Sequence, residues 1–188
     1  AVWGKLYGQF FMEGCVFVYD FDRFKATDIL DKVQKYKISS LCCPPTMFRL
    51  FLQEDIDSFD LSSLEYCTIA GEALQPDVFN KWFEKTGILL MEGFGQTETT
   101  LTIANLLKTK PKPGSMGKPL PHFDVDLIDE HGDSVVPGAR GEIVIRTDKG
   151  IPLGLFNGYY LNPTKTQETW HDNIYHTGDN AWKGEDGY

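Results

Sequence analysis

The stretch Glu92–Thr100, EGFGQTETT, gathers residue types that suit a nucleotide better than a regular helix or strand requires. Gly93 and Gly95 permit backbone conformations, or a close ligand approach, that a Cβ would forbid. Phe94 offers a flat face for a nucleobase. Thr97 carries a hydroxyl and an N–H for a phosphate oxygen, and Glu98 an oxygen ligand for a divalent cation. Taken alone, the same letters equally suit a strand-to-helix turn, with Thr-Glu opening a helix at the favourable end of its dipole.

Two further stretches carry chemistry of the same kind. In YHTGD, Tyr175–Asp179, a carboxylate fixed just after a glycine can accept hydrogen bonds from two neighbouring hydroxyls, as a ribose diol presents them. On its own this is more simply an Asp bonding its local backbone in a turn. AGEAL, Ala70–Leu74, is a Gly-Glu turn at a strand end and by itself needs no function. His122, His131, His171 and His176 are scattered among turn residues and read as surface or turn histidines. Cys15, Cys42, Cys43 and Cys67 match no zinc spacing and read as free thiols in a reduced core. Neither a G-x-x-x-x-G-K-[ST] loop nor a G-x-S-x-G or H-E-x-x-H motif occurs.

Charge narrows the partners. The 188 residues hold 27 acidic and 18 basic side chains, a formal charge of −9, with no basic patch for nucleic acid or an anionic membrane. Phosphates must then be met by backbone N–H groups, hydroxyls and a metal ion. No apolar run approaches the ~20 residues of a membrane span. There is no signal-peptide pattern, so the expectation is a cytoplasmic protein.

The elements that would position these residues follow from periodicity. Val16–Tyr19 reads as a buried strand, and residues 27–37 as a helix with Ile29, Leu30, Val33 and Tyr36 on one face, capped by Thr27 or Asp28. Ser39–Cys43 is the next strand, stopped by Pro44-Pro45. A helix over 46–53, a strand over 66–70, a helix over 76–85 and a strand over 88–91 complete the series. Trp3, Tyr7, Phe10 and Phe11 read as core. Strand and helix in alternation predict an α/β fold, a mostly parallel sheet with flanking helices, whose ligands sit beyond the carboxyl ends of the strands. After the Pro/Gly connector at 110–121, the runs VDLI (125–128) and GEIVIR (141–146) predict a smaller β-barrel-like region, with a helix only around 164–170. The expected domains are 1–110, α/β, and 111–188, β-rich.

Individually weak, the motifs are telling in order. CCPPTMFRL, AGEAL, EGFGQTET, KPGSMGKPLP, PGARGEI, then YHTGD followed by EDGY resemble the acyl-adenylate-forming (AMP-binding) superfamily, from end to end of the chain. The pattern is most similar to AMP-forming medium-chain acyl-CoA synthetases. That resemblance implies a fatty-acid-metabolising ligase using ATP, Mg²⁺ and CoA on a small-molecule carboxylate. It implies that Glu92, Gly93, Phe94, Gly95 and Gln96 belong to the nucleotide site, with Phe94 on the adenine and Gly71, Glu72 and Ala73 bordering it. Thr97 would contact the α-phosphate and the activated carboxyl, Glu98 would help hold Mg²⁺, and Asp179 would grip the ribose.

In acetyl-CoA synthetases, which the motif also resembles, a tryptophan fills the position of Gly95. A glycine there, with Ala70 nearby, implies an acyl pocket open to a medium-chain, branched or aromatic acid. The family's phosphate loop and C-terminal catalytic lysine are not among these motifs. The chain therefore reads as an internal piece of a larger enzyme, inactive alone. Two alternatives stand beside this reading: an acid-activating domain that makes an aryl thioester or loads a carrier protein, and a non-catalytic nucleotide-binding domain.

Overall fold

Helix α2, Ala26–Tyr36, shows why this sequence makes its first layer: Ala26, Leu30 and Val33 recur along one face and are buried, while Asp31, Lys32, Lys35 and Tyr36 face outward or lie at the rim. Its N-cap is Lys25, without a side-chain hydrogen bond, so the expected Thr27 or Asp28 cap does not form. Both residues fall inside the first turn instead, where Asp28 meets the positive end of the dipole. The structure, a computed structural model, describes residues 7–188. By its contacts it divides into two compact units, one running to Phe94 and including Asn105–Gly117, the other comprising Gly95–Ala104 and Lys118–Tyr188.

In the first unit, β1 (Ser40–Cys42), β2 (Tyr66–Ile69) and the start of β3 (Leu90–Gln96) pair in parallel, with Leu41 opposite Cys67 and Cys67 opposite Leu90. The helices α2, α3 (Pro45–Phe51) and α4 (Pro76–Thr86) supply the layer that covers it. Both α3 and α4 begin on a proline, whose missing N–H is harmless in a first turn. Phe48, Phe51 and Trp82 are fully buried, Phe48 standing edge-on to Trp82 at 4.9 Å between centroids. The alternation of strand and helix is as expected, with boundaries shifted by one or two residues except in β3, which ends at Gln96 rather than Met91.

Two readings of the N-terminal part fail. Val16–Tyr19 forms no strand, and Val18 is 80% exposed. The run is apolar and β-branched, but a strand exists only where a neighbour takes up its backbone groups. Tyr7, Phe10 and Phe11 are exposed rather than core, with α1 (Gly8–Phe11) only a single turn. Trp3, the fourth member of that expected cluster, lies outside the described residues. Cysteine readings divide as well: Cys43 and Cys67 are buried free thiols, whereas Cys15 is exposed.

The second unit is β-rich, as expected, but its main sheet is open rather than barrel-like. Strands β6 (Asp124–Ile128), β7 (Arg140–Arg146), β8 (Trp170–His171) and β9 (Ile174–Trp182) lie antiparallel in the order β6-β7-β9-β8. Strand β4 (Thr100–Ala104) pairs antiparallel with the short β5 (Lys118–Pro119) in the same unit. Phe123, Ile145, Leu155 and Tyr175 form its core. Helix α5, Pro163–Thr169, is capped by Asn162, whose side chain accepts the Lys165 N–H at 3.0 Å. Among the described residues, no helix is long and apolar enough to cross a membrane.

Candidate functional site

The EGFGQTETT stretch is not the strand-to-helix turn that its letters also suit. β3 runs straight through it to Gln96, residues 97–99 make a tight turn, and Thr100 begins β4; no helix follows. The turn closes on Thr99, which is fully buried: its Oγ1 accepts the Gln96 N–H at 3.0 Å, and its own N–H donates to the Gln96 carbonyl at 3.3 Å. Thr100 has φ +58°, a left-handed conformation that a β-branched residue rarely adopts. Such strain persists only where the surroundings over-determine it, and it gathers at functional sites. The outcome is a rigid turn on which Thr97 is exposed and Glu98 half-buried.

Glu98 is held in place by the segment between β7 and α5 of the same unit. Its Oε1 accepts a hydrogen bond from Tyr159 Oη at 2.9 Å, and its carbonyl accepts the Phe156 N–H at 2.7 Å. Partial burial, and then the Glu98 charge, push the Tyr159 phenol above its ordinary range, so it stays a donor. Among the described residues no group of three His, Cys, Asp or Glu side chains gathers as a metal cage. A single oriented carboxylate is nonetheless what Mg²⁺ commonly takes from a protein when substrate phosphates and waters complete its shell. Glu98 fits that role.

YHTGD is not a turn but part of strand β9, and it is bulged. Glu142 pairs with Asn180 and Val144 with His176, so Thr177, Gly178 and Asp179 all face the single residue Ile143. Gly178 has φ +75°, which a side chain would resist. The bulge re-aims the chain and leaves Asp179 exposed, as bulges beside binding sites do. It is braced by partners that sequence reasoning missed. Glu142 accepts the Gly178 N–H at 2.9 Å through Oε1 and lies 2.9 Å from His176 Nδ1 through Oε2. Thr177 Oγ1 donates to the Ile143 carbonyl at 2.7 Å and accepts the Asp179 N–H at 3.1 Å. His176 is thus a half-buried structural partner, not the surface histidine expected. Glu142 sits 34 residues upstream, inside the PGARGEI motif, but its role in the bulge shows only in its pairing opposite β9.

Gln96 joins the turn to the bulge. Its Nε2 donates to Asp179 Oδ2 and to the Thr177 carbonyl, each at 2.8 Å, while its Oε1 accepts from Tyr175 Oη at 2.9 Å. Tyr175 is 2% exposed, and burial raises its phenol far above the usual range, so it too remains protonated. Gln96, Glu98, Tyr159, Tyr175, Thr177 and Gly178 line a cavity of about 450 Å³ within this unit.

The remaining candidates belong to the first unit. Gly71, Glu72 and Ala73 are exposed on the loop after β2, and Ala70 is half-buried. Glu72 Oε2 accepts a hydrogen bond from Thr46 Oγ1 at 2.6 Å, and Arg49 Nη2 donates to that same hydroxyl at 3.0 Å. Gly93 and Phe94 are half-buried on β3. Glu92 is 8% exposed, and its Oε1 accepts the Leu74 N–H at 3.1 Å, so the carboxylate is engaged in tying the AGEAL loop to β3.

Burial raises the Glu92 pKa, and the Leu74 N–H only partly offsets this. An acid with a raised folded-state pKa contributes stability that is complete below its unfolded value and is lost as pH rises through the folded one. Glu92→Gln keeps a carbonyl oxygen for Leu74 and leaves no charge to desolvate. Its urea midpoint should therefore fall less than that of the parent across roughly pH 4 to 7, the span above an ordinary carboxylate value. Parallel midpoint–pH curves would refute this.

With this geometry in view, comparison with known proteins is informative. The AMP-binding enzyme family matches residues 3–160. The human acyl-coenzyme A synthetase ACSM3, mitochondrial, is 43% identical over 188 residues, all of this chain and 32% of that protein. Human ACSM5, also mitochondrial, is 43% identical over 174 residues, 93% of this chain and 30% of that one. Among solved structures, the anthranilate CoA ligase AuaEII in complex with anthranoyl-AMP superposes with a TM-score of 0.84 at 30% identity, over 93% of this chain and 33% of its own. ATP-bound MatB from Rhodopseudomonas palustris shares the fold, with a TM-score of 0.85 at 24% identity, over all of this chain and 37% of its own. The chain thus spans about a third of the length of the curated relatives it matches. Those relatives are mitochondrial, which overturns the cytoplasmic expectation; that expectation rested on the lack of a signal pattern within these residues alone.

Proposed function

Because the chain belongs to the AMP-binding enzyme family, we propose that its protein is a mitochondrial acyl-CoA synthetase that activates a carboxylic acid with ATP and passes it to CoA. The observation that carries this reading is the hydrogen bond from Gln96 to Asp179, which joins the Gln-Thr-Glu turn to the bulge of β9. A turn bearing a hydroxyl and an oriented carboxylate, coupled to an exposed aspartate on a rigid bulge, suits a nucleoside phosphate.

In the first half-reaction a carboxylate oxygen of the acid bonds to the α-phosphorus of ATP, the bond to the bridging oxygen breaks, and pyrophosphate leaves. Both reactants are anions, so the protein's share is positioning and charge neutralisation. Thr97 offers its hydroxyl to the α-phosphate and Asp179 takes the ribose hydroxyls; Glu98 would hold Mg²⁺, which would supply neutralising charge at the phosphates. Phe94 is assigned to the adenine face, with Gly71, Glu72 and Ala73 beside the base and Glu92 and Gly93 shaping the strand. In the second half-reaction the CoA sulfur bonds to the acyl carbon and AMP departs with its phosphate oxygen.

The small residues Ala70 and Gly95 favour an acid larger than acetate. An aryl acid is the second reading, favoured by the likeness to an anthranilate CoA ligase. ATP–pyrophosphate exchange by the full-length protein, run with acetate, hexanoate, 2-methylbutyrate and anthranilate, tests both. Exchange should depend on Mg²⁺ and be stronger with any of the larger acids than with acetate. No exchange with any acid would refute the function, and a preference for acetate would refute the pocket. The 188 residues alone, which hold no phosphate-loop motif, should produce no acyl-AMP.

A further inference from the structure

We infer that Gln96 is a positioning residue that sets the Asp179 carboxylate for the ribose, with Tyr175 fixing the orientation of the Gln96 amide. This rests on the assignment of Asp179 to the ribose above.

The amide has one chemically sensible orientation. On one side it meets two acceptors, the Asp179 carboxylate and the Thr177 carbonyl, both at 2.8 Å. An oxygen turned that way would face two oxygens with no proton between them. On the other side it meets the Tyr175 hydroxyl at 2.9 Å, a buried phenol that keeps its proton and donates it. The NH₂ group must therefore point at Asp179 and the carbonyl at Tyr175.

The Gln96 backbone is no freer. Its N–H is bound to the buried Thr99 hydroxyl and its carbonyl accepts the Thr99 N–H. Asp179 is exposed on a bulge whose adjacent Gly178 is held through its N–H by Glu142. The backbone at Asp179 is thus fixed from one side and its carboxylate from the other. A hydrogen bond to one oxygen of the carboxylate leaves the second oxygen, and a further lone pair on the first, for two ribose hydroxyls. An exposed aspartate without this tether would sample several rotamers, and ordering it would weaken nucleotide binding.

The test is the ratio of affinities for AMP and 2′,3′-dideoxy-AMP, measured calorimetrically on the full-length protein. The parent should prefer AMP by on the order of 10²-fold, the scale of charge-assisted hydrogen bonds to the diol. Gln96→Leu removes the tether while keeping a similar bulk. It should shrink the preference to about tenfold or less, mostly by weakening AMP. Tyr175→Phe removes one buried hydroxyl and should move the ratio the same way by a few-fold. Equal losses for both nucleotides in Gln96→Leu would mean a merely structural role and overturn the inference while leaving the ribose assignment intact. A parent and an Asp179→Ala variant that both ignore the ribose hydroxyls would overturn that assignment and the inference with it. Should Gln96→Leu fail to fold, Tyr175→Phe carries the same readout, and an unchanged ratio there refutes the proposal.

Discussion

Replacing Glu98 with glutamine in the full-length protein should lower acyl-adenylate formation by roughly 10²–10³-fold, the usual effect of removing one electrostatic group aimed at developing charge. The substitution isolates charge from architecture. Glutamine keeps an oxygen that can accept the Tyr159 hydroxyl, and the Glu98 backbone bond to the Phe156 N–H is untouched. The turn between β3 and β4 should therefore persist, and a thermal melt should stay close to that of the parent. What is lost is the negative ligand proposed for the cation, so raising Mg²⁺ should recover part of the rate. Pyrophosphate release across a Mg²⁺ series is the measurement. A variant within about threefold of the parent would remove Glu98 from the reaction, because an electrostatic group that matters costs far more than that.

Gly95→Ala should destabilise the protein by about 3 kcal/mol or more, the upper range for overpacking a closed site. A Cβ at residue 95 would overlap the Thr100 carbonyl oxygen, with the Thr100 carbonyl carbon 2.7 Å and the Leu101 Cα 2.9 Å away. These are backbone atoms of β4, and no rotamer change relieves them. Thr100, already at φ +58°, has little room to yield. This alters what Gly95 means. From the motif, a glycine where acetyl-CoA synthetases carry tryptophan implied an open acyl pocket. The structure adds a local cause: the two strands of the hairpin approach too closely for any side chain. Gly95→Trp should accordingly yield poorly folded protein rather than a clean switch to acetate. Urea unfolding of Gly95→Ala measures the first claim; a well-folded Gly95→Trp enzyme that prefers acetate would defeat the second.

Legibility differed with the range of the interaction involved. Helices α2 and α4 were plain in the sequence because their apolar spacing and terminal residues act within a few positions. Strands β1 and β2 were legible as short apolar runs bounded by turn residues. Val16–Tyr19 has the same local character and forms no strand, since pairing depends on a partner that no local pattern names. The barrel-like reading of the second region erred for a related reason: alternation marks strands, but whether their sheet closes is decided by register and shear across all of them. Here the order β6-β7-β9-β8 leaves it open.

The candidate residues followed the same division. Gly-Phe-Gly-Gln-Thr-Glu and Thr-Gly-Asp could be named from residue types and their order, because phosphate, cation and ribose each demand particular functional groups. Their supports could not be named. Tyr159 lies 61 residues from Glu98, Tyr175 lies 79 from Gln96, and Glu142 lies 34 from His176. By itself, the sequence determined the α/β then β-rich order of elements, the kinship with AMP-binding enzymes and the groups available for chemistry. Only the tertiary structure decided that β3 runs through the motif, that YHTGD is a bulge, that Glu92 ties down a loop and that Gln96 tethers Asp179. The physical reason is that a residue's chemical capacity resides in its own side chain, whereas its orientation is set by hydrogen bonds closed across tens of residues of folded chain.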